Sequence, residues 1–82
     1  MNQEEQKQMK AEIVELSSKI KIASEEIKKE LMTNVNREFL KAKSAIVVRD
    51  GGAGDRNATE IAEAQMKVIH EESKKIVQKY NL

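Results

Sequence analysis

The sequence has no cysteine, no proline and no tryptophan, and its aromatic residues are one phenylalanine and one tyrosine. Without cysteine the chain cannot form a disulfide scaffold, a thiolate zinc site or a cysteine nucleophile. Without proline it offers almost no obstacle to helix formation. Hydrophobic residues make up 39% and aromatic residues 2%. Any core is therefore aliphatic and thin, which favours assembly with other copies.

Neither sign of charge dominates, because 15 Lys and Arg residues oppose 14 Asp and Glu residues. Binding of duplex nucleic acid usually needs a clear basic excess, so this class of protein is disfavoured. No apolar run of about 18 residues is present to span a membrane. The N-terminal stretch MNQEEQKQMK is polar, where a secretory signal would be basic and then apolar. We therefore expect a cytoplasmic protein with a single domain, residues 1–82.

Apolar residues recur at helical spacing over the first half of the chain. Steps of four and three residues, the heptad spacing of a helix-packing seam, link Met9, Ile13, Leu16, Ile20, Ala23 and Ile27. The apolar pattern continues to Ile46 with longer steps, and longer steps change the supercoil of a helix. The change falls near residues 33–36, three of which are polar residues with low helix propensity. This predicts one long first helix, about residues 3–48, with a bend or a break near Asn34.

All three glycines lie between Arg49 and Thr59, in the stretch RDGGAGDRNAT. They predict a loop over residues 49–56. Asn57, followed three residues later by Glu60, has the form of a capping box. Heptad spacing after it predicts a shorter second helix over about residues 57–80. The expected fold class is all-α, a long antiparallel helical hairpin that assembles into a homo-oligomeric bundle.

The two predicted helices differ in length, and this difference predicts the assembly. At 1.5 Å per residue the second helix is about 36 Å long and the first about 68 Å. An antiparallel second helix would cover only the later half of the first. Burial of each large aliphatic side chain is worth about 1.5–3 kcal/mol, so another copy should cover the early seam. The predicted oligomer interface is Met9, Ile13, Leu16, Ile20 and Ile27.

The glycine loop also carries candidates for a ligand site. Backbone amides at the start of the second helix form an anion site, and the guanidinium groups of Arg49 and Arg56 match phosphate geometry. Asp50 and Asp55 could instead pair with these arginines, so both alternatives stay open. A P-loop is excluded because its lysine and its preceding strand are absent.

A second polar patch, residues 33–37, lies in the middle of the first predicted helix. One interpretation is a solvated stretch or a kink. In the other, its side chains read a base or ribose in a pocket between subunits, with Arg37 as the candidate ligand-binding residue.

No group of catalytic or metal-binding side chains stands out. His70 is the only histidine, and with Glu71 and Glu72 it makes a poor metal site. The serines have no histidine at a recognisable spacing, and the carboxylates lie at the spacing of helical ion pairs. We therefore expect a protein that is not an enzyme and uses no metal or other cofactor.

The opening of the second helix resembles a family of phage anti-defence proteins. The residues that carry the resemblance are Asp55, Arg56, Thr59, Ile61, Ala62, Gln65 and Met66. Members of this family are small helical-hairpin sponges that sequester the cyclic oligonucleotide or cyclic ADP-ribose signals of bacterial CBASS and Thoeris immunity. The resemblance implies a homo-oligomer, often a hexamer, in the host cytoplasm, with nucleotide pockets between protomers and no catalysis.

By this resemblance Arg56 and Thr59 bind the ligand, and charge and position add Asn57, Arg49 and Arg37 to the candidate site. The first hypothesis for function is thus a non-enzymatic protein that sequesters a cyclic nucleotide immune signal at subunit interfaces. The alternative is a small helical protein–protein interaction or regulatory module without a small-molecule ligand.

Overall fold

The computed structural model describes residues 2–49 and 58–82. These residues form three helices: α1 (Gln3–Lys21), α2 (Glu25–Arg49) and α3 (Ala58–Tyr80). The predicted all-α class is confirmed. The last predicted helix ends at Tyr80, as expected. Of the predicted loop over residues 49–56, only Arg49 belongs to the described residues, where it is the last residue of α2.

The prediction of one long first helix is wrong. The chain leaves helical structure at residues 22–24, and α2 runs without interruption past Asn34. At the end of α1 the backbone N–H of Ala23 donates a hydrogen bond to the carbonyl oxygen of Ile20 at 2.9 Å, the tighter spacing of a helix that is ending. The break therefore lies about ten residues before the polar patch that was expected to cause it.

Ser24 is the residue that starts the next helix. Its Oγ accepts a hydrogen bond from the backbone N–H of Ile27 at 3.3 Å, which satisfies one of the free donors of the first turn. Glu25 and Glu26 add negative charge at the positive end of the helix dipole. A serine followed by two acidic residues is a helix-start signal. Here the apolar residues on both sides of it keep the heptad spacing, so the spacing does not indicate that a new helix begins.

Helix α3 lies between α1 and α2 and packs against both. Gln6, near the start of α1, contacts Glu63, near the start of α3. Further along both helices Glu12 contacts His70. Helices α1 and α3 therefore run parallel.

Helix α2 runs in the opposite direction to α3. Arg49, at the end of α2, forms an ion pair with Glu60 in the first turn of α3. Glu30, near the start of α2, forms an ion pair with Lys79 in the last turn of α3. The chain thus runs up, down and up, with the last helix in the middle.

The Cα atoms span 40 × 28 × 15 Å. Packed helices lie about 8–10 Å apart, so a compact three-helix bundle would have two short dimensions of similar size. The extents of 28 Å and 15 Å differ, and α1 and α2 both pack on α3 but have few contacts with each other, so the described helices form an open layer. An open layer buries less side-chain area than a closed bundle.

The core is small and aliphatic, as the composition predicted. Within the described residues the buried hydrophobic side chains are Ile20, Ile46 and Ile76, one from each helix. Ile76 is the most enclosed, with 2% of its surface exposed. Because α3 is the middle helix, its isoleucine is covered from both sides.

The turn at residues 22–24 folds α1 back onto α3, and this covers the seam that the length argument left without a partner. Ile20 is buried inside the single chain. The other four residues of the predicted interface are half-buried there: Met9, Ile13, Leu16 and Ile27. The premise of one continuous first helix is wrong, whereas contact between these residues and another copy stays a prediction.

Candidate ligand-binding site

The candidate site lies at the first turn of α3, where Thr59 is the second residue of the helix and is exposed. Thr59 lines a cavity of about 420 Å³ between α3 and α1, together with Gln6, Lys10 and Glu63. Because α1 and α3 are parallel, both begin at this end of the layer. The positive ends of two helix dipoles therefore lie on the same side of the cavity.

The polar groups of this cavity are of mixed character. The Nε2 of Gln6 on α1 donates a hydrogen bond to Oε1 of Glu63 on α3 at 3.5 Å. Lys10 brings an ammonium group, Thr59 a hydroxyl and Glu63 a carboxylate. Such a set can hydrogen-bond a polar ligand, and Lys10 supplies the positive charge for an anionic one.

Two of the predicted ligand-binding residues, Arg56 and Asn57, lie outside the described residues. Arg49 is described, and its guanidinium group donates a hydrogen bond to a carboxylate oxygen of Glu60. Arg49 thus has a partner within the chain, Glu60, which the sequence analysis did not consider. Asp50 and Asp55, the acids considered for this role, lie outside the described residues.

Arg37 is not brought near Thr59 or Arg49. It lies on the exposed part of α2, where its Nε is 3.1 Å from Oε2 of Glu38 and its Nη2 donates to Oδ1 of Asn34 at 3.1 Å. Hydrogen bonds from Arg37 and then from Lys41 hold the pKa of the Glu38 carboxyl below its ordinary value of 4.5. The polar patch therefore forms a local network along one helix.

A second cavity, of about 500 Å³, lies between α2 and α3. Its charged lining is balanced: Lys41, Lys67 and Lys75 oppose Glu38, Glu71 and Glu72. Glu72 is 5% exposed and pairs with Lys75 at 3.3 Å. Sequence reasoning missed this buried carboxylate, because the helical spacing pairs Lys75 with Glu71 as readily as with its neighbour. The signal available was the position of Glu72 next to Ser73, which lies at heptad spacing from Ile69 and Ile76.

His70 is packed between helices. Its side chain is 14% exposed, and its Nε2 lies 2.9 Å from Oε2 of Glu12 on α1. No cluster of three His, Cys, Asp or Glu side chains that could hold a metal ion is found among residues 2–49 and 58–82. His70 thus joins α3 to α1.

No helix in the described part of the chain combines the length and the apolar character needed to cross a membrane. Comparisons of the chain with protein-family models, with curated proteins and with solved structures found no match.

Proposed function

We propose that this chain is a non-enzymatic helical interaction module that works as a homo-oligomer. The observation that supports the proposal is the number of large apolar side chains left on the surface of a protein with a small core. The exposed fractions are 66% for Val14, 86% for Ile22, 57% for Met32, 62% for Leu40 and 79% for Val48. Water contact with such surface is unfavourable by about 25 cal/mol per Å², so a partner that covers it stabilises the fold.

The charged side chains support the same function. Polar side-chain contacts link α3 to both of its neighbours, through Glu12 with His70 and through the ion pair of Glu30 with Lys79. Within α2, Glu38 is held by Arg37 and Lys41. These carboxylates have structural partners, which is the pattern of a helical scaffold and not of an acid–base couple.

The test is a measurement of mass in solution. Sedimentation velocity and native mass spectrometry over about 1–500 μM protein should give species of at least twice the 9.3 kDa chain. Because the contacts are apolar, the association should persist when salt is raised from about 0.1 M to 1 M, where charge interactions are screened. A monomer over the whole concentration range would contradict the proposal.

A second candidate function is sequestration of a cyclic nucleotide signal, the function that the resemblance to the phage anti-defence sponges implies. It is supported by one feature of the fold: Thr59, one of the two residues carried over from that family, lines a cavity of about 420 Å³ that also contains Lys10. The Thr59 hydroxyl lies in the first turn of α3, where the helix N-terminus suits a phosphate group, and Lys10 adds a positive charge. In an oligomer this open cavity could be completed by a second copy.

Thermal shift measurements with cyclic dinucleotides, cyclic trinucleotides and cyclic ADP-ribose isomers test this second function. A binding ligand should raise the melting temperature of the wild type, and Arg56→Ala and Thr59→Val should lose the shift while staying folded. Ser44→Ala, which removes a hydroxyl at an exposed position on α2, is the matched control and should keep it. No shift with any of these compounds would remove the sponge function and leave the interaction module standing.

A further inference from the structure

We propose that a second copy of this chain docks on α2, about a two-fold axis that crosses the helix between Phe39 and Leu40. This inference rests on the proposed homo-oligomeric function and names the surface that carries it. The surface, called here the α2 stripe, consists of the side chains Met32, Phe39, Leu40 and Val47.

Helix α2 has more apolar surface than its contact with α3 uses. The first apolar side faces α3 and ends in the buried Ile46. The α2 stripe is a second side, because positions 32, 39, 40 and 47 are separated by seven, one and seven residues, which places them on one face of a 3.6-residue helix. Met32 and Leu40 are 57% and 62% exposed, and Phe39 and Val47 are half-buried.

The open layer leaves this helix accessible. Among the described helices α2 packs on α3, and α1 lies on the far side of α3. A helix from another copy can therefore approach α2 without displacing α1. The axes of packed helices usually lie about 8–10 Å apart. A helix from another copy at this distance from α2 would cover the stripe.

The order of residues along the stripe identifies the partner as a second copy. Two exposed polar residues, Asn36 and Lys43, lie within it. Along the six positions 32, 36, 39, 40, 43 and 47 the side chains are apolar, polar, apolar, apolar, polar and apolar, an order of residue types that reads the same in both directions. A two-fold axis at the midpoint relates antiparallel copies of α2 and superimposes this pattern on itself. Two-fold interfaces are self-complementary in this way.

The symmetry specifies the contacts. Met32 of one copy meets Val47 of the other, and Phe39 meets Leu40, so apolar side chains face apolar side chains. Asn36 of one copy faces Lys43 of the other, and its amide oxygen can accept a hydrogen bond from the ammonium group. The two Lys43 side chains are offset by seven residues, about 10 Å along the helix axis, which is close to one Debye length at physiological salt.

The small size of the contact limits its strength. From Met32 to Val47 the stripe is about 22 Å long. One pair of helices over this length makes an interface at the small end of specific protein contacts. The dimer should therefore dissociate on dilution, with a dissociation constant in the micromolar range, about 1–100 μM.

Sedimentation equilibrium of point variants tests the interface. Leu40→Glu places a charge in the middle of the stripe and should raise the dissociation constant at least about tenfold. Ala45→Glu is the matched control, because Ala45 lies on the same helix, is exposed and is on the opposite side of the helix from the stripe. It should leave the constant unchanged, and circular dichroism should show that both variants keep the helical content of the wild type.

A pair of opposite changes at Asn36 tests the register. Asn36→Glu brings a carboxylate opposite Lys43 of the other copy and should lower the dissociation constant several-fold at low salt. Asn36→Lys brings two cations together and should raise it by a similar factor. Both effects should fade near 1 M salt.

The outcomes separate this inference from the function it rests on. A protein that is monomeric at every concentration contradicts both. An oligomer whose dissociation constant does not respond to Leu40→Glu, or that responds equally to Asn36→Glu and Asn36→Lys, overturns the α2 interface and leaves the homo-oligomeric function in place.

Discussion

The Nζ of Lys79, in the last turn of α3, lies 2.7 Å from Oε2 of Glu30 on α2. The hydroxyl of the next residue, Tyr80, donates a hydrogen bond to the other oxygen of the same carboxylate. The hydrogen bonds from Lys79 and then from Tyr80 hold the pKa of Glu30 below its ordinary value of 4.5. Two consecutive side chains of α3 thus bind one carboxylate, which sets the position of the end of α3 along α2.

The titration of Tyr80 reports this contact directly, because Tyr80 is the only tyrosine and the chain has no tryptophan. The hydrogen bond to Glu30 raises the pKa of the Tyr80 phenol above its ordinary value of 10.0. Glu30→Gln removes the negative charge and should lower this pKa towards 10.0, as measured by the ultraviolet absorbance of tyrosinate. Since the folded pKa is raised, the contact stabilises the fold below about pH 10 and is lost as the pH rises through the folded value. Equal titration curves for wild type and variant would show that the contact is absent in solution.

Ser24→Ala should destabilise the fold by about 0.5–2 kcal/mol, because it removes the oxygen that accepts a hydrogen bond from the Ile27 N–H at the start of α2. The free energy of unfolding in urea, at fixed protein concentration, measures the loss. Ser44→Ala changes an exposed serine inside the same helix and is the control. It should be neutral or slightly stabilising, because alanine is the better helix former. Equal effects of the two substitutions would show that Ser24 does not cap α2.

Ile76→Ala should be among the most costly substitutions in the described chain, since Ile76 is 2% exposed and packs in the middle helix. Truncation of a buried isoleucine to alanine costs about 2–5 kcal/mol, which is comparable with the total stability of a small domain. Ile76→Val removes one methylene group and should cost about 0.5–1.5 kcal/mol, so it keeps the measurement within range when alanine unfolds the protein. Val14→Ala, at a 66% exposed position, is the control. A loss below about 0.5 kcal/mol for Ile76→Ala would contradict this core.

Spin labels can distinguish the folded-back α1 from a continuous first helix. The chain has no cysteine, so Lys7→Cys with Ser44→Cys gives two defined labelling sites. A continuous helix would separate these positions by about 56 Å. In the structure both lie at the same end of a layer whose longest dimension is 40 Å, so the measured distance should be well below that value. The pair Lys29→Cys with Ser44→Cys lies within α2 and should give about 22 Å in either case.

The resemblance to the phage anti-defence family and the structure point to different residues of the candidate site. Thr59 was identified from the sequence, and the fold places it beside Lys10, which sequence reasoning did not include. Lys10 is distant in the chain, and only the parallel packing of α1 on α3 brings the two together. The sequence pattern of a single helix cannot predict that Thr59 and Lys10 lie close together. Their proximity depends on which neighbouring helix each apolar seam faces.

The break between α1 and α2 explains why the prediction of one long first helix is wrong. The apolar steps pass from Ile20 through Ala23 to Ile27 without leaving the heptad spacing, so the inward side of the chain is the same before and after the turn. The periodicity therefore predicts which residues face a neighbouring helix, and Ile20 is indeed buried. It does not predict which helix that neighbour is. The capping residue Ser24 was the local signal for the break. A single capping residue is a weaker signal in a sequence than a long apolar pattern.

The sequence by itself determined that this protein is helical, that its core is aliphatic and thin, and where its last helix ends, because these properties depend on residue type and spacing along one helix. Only the tertiary structure decided that α1 folds back on α3, that Glu30 binds both Lys79 and Tyr80, and that α3 is the described helix on which both α1 and α2 pack. These properties depend on contacts between residues far apart in the chain. Their energies are settled by the whole arrangement of the helices, and one turn of three residues is enough to change it.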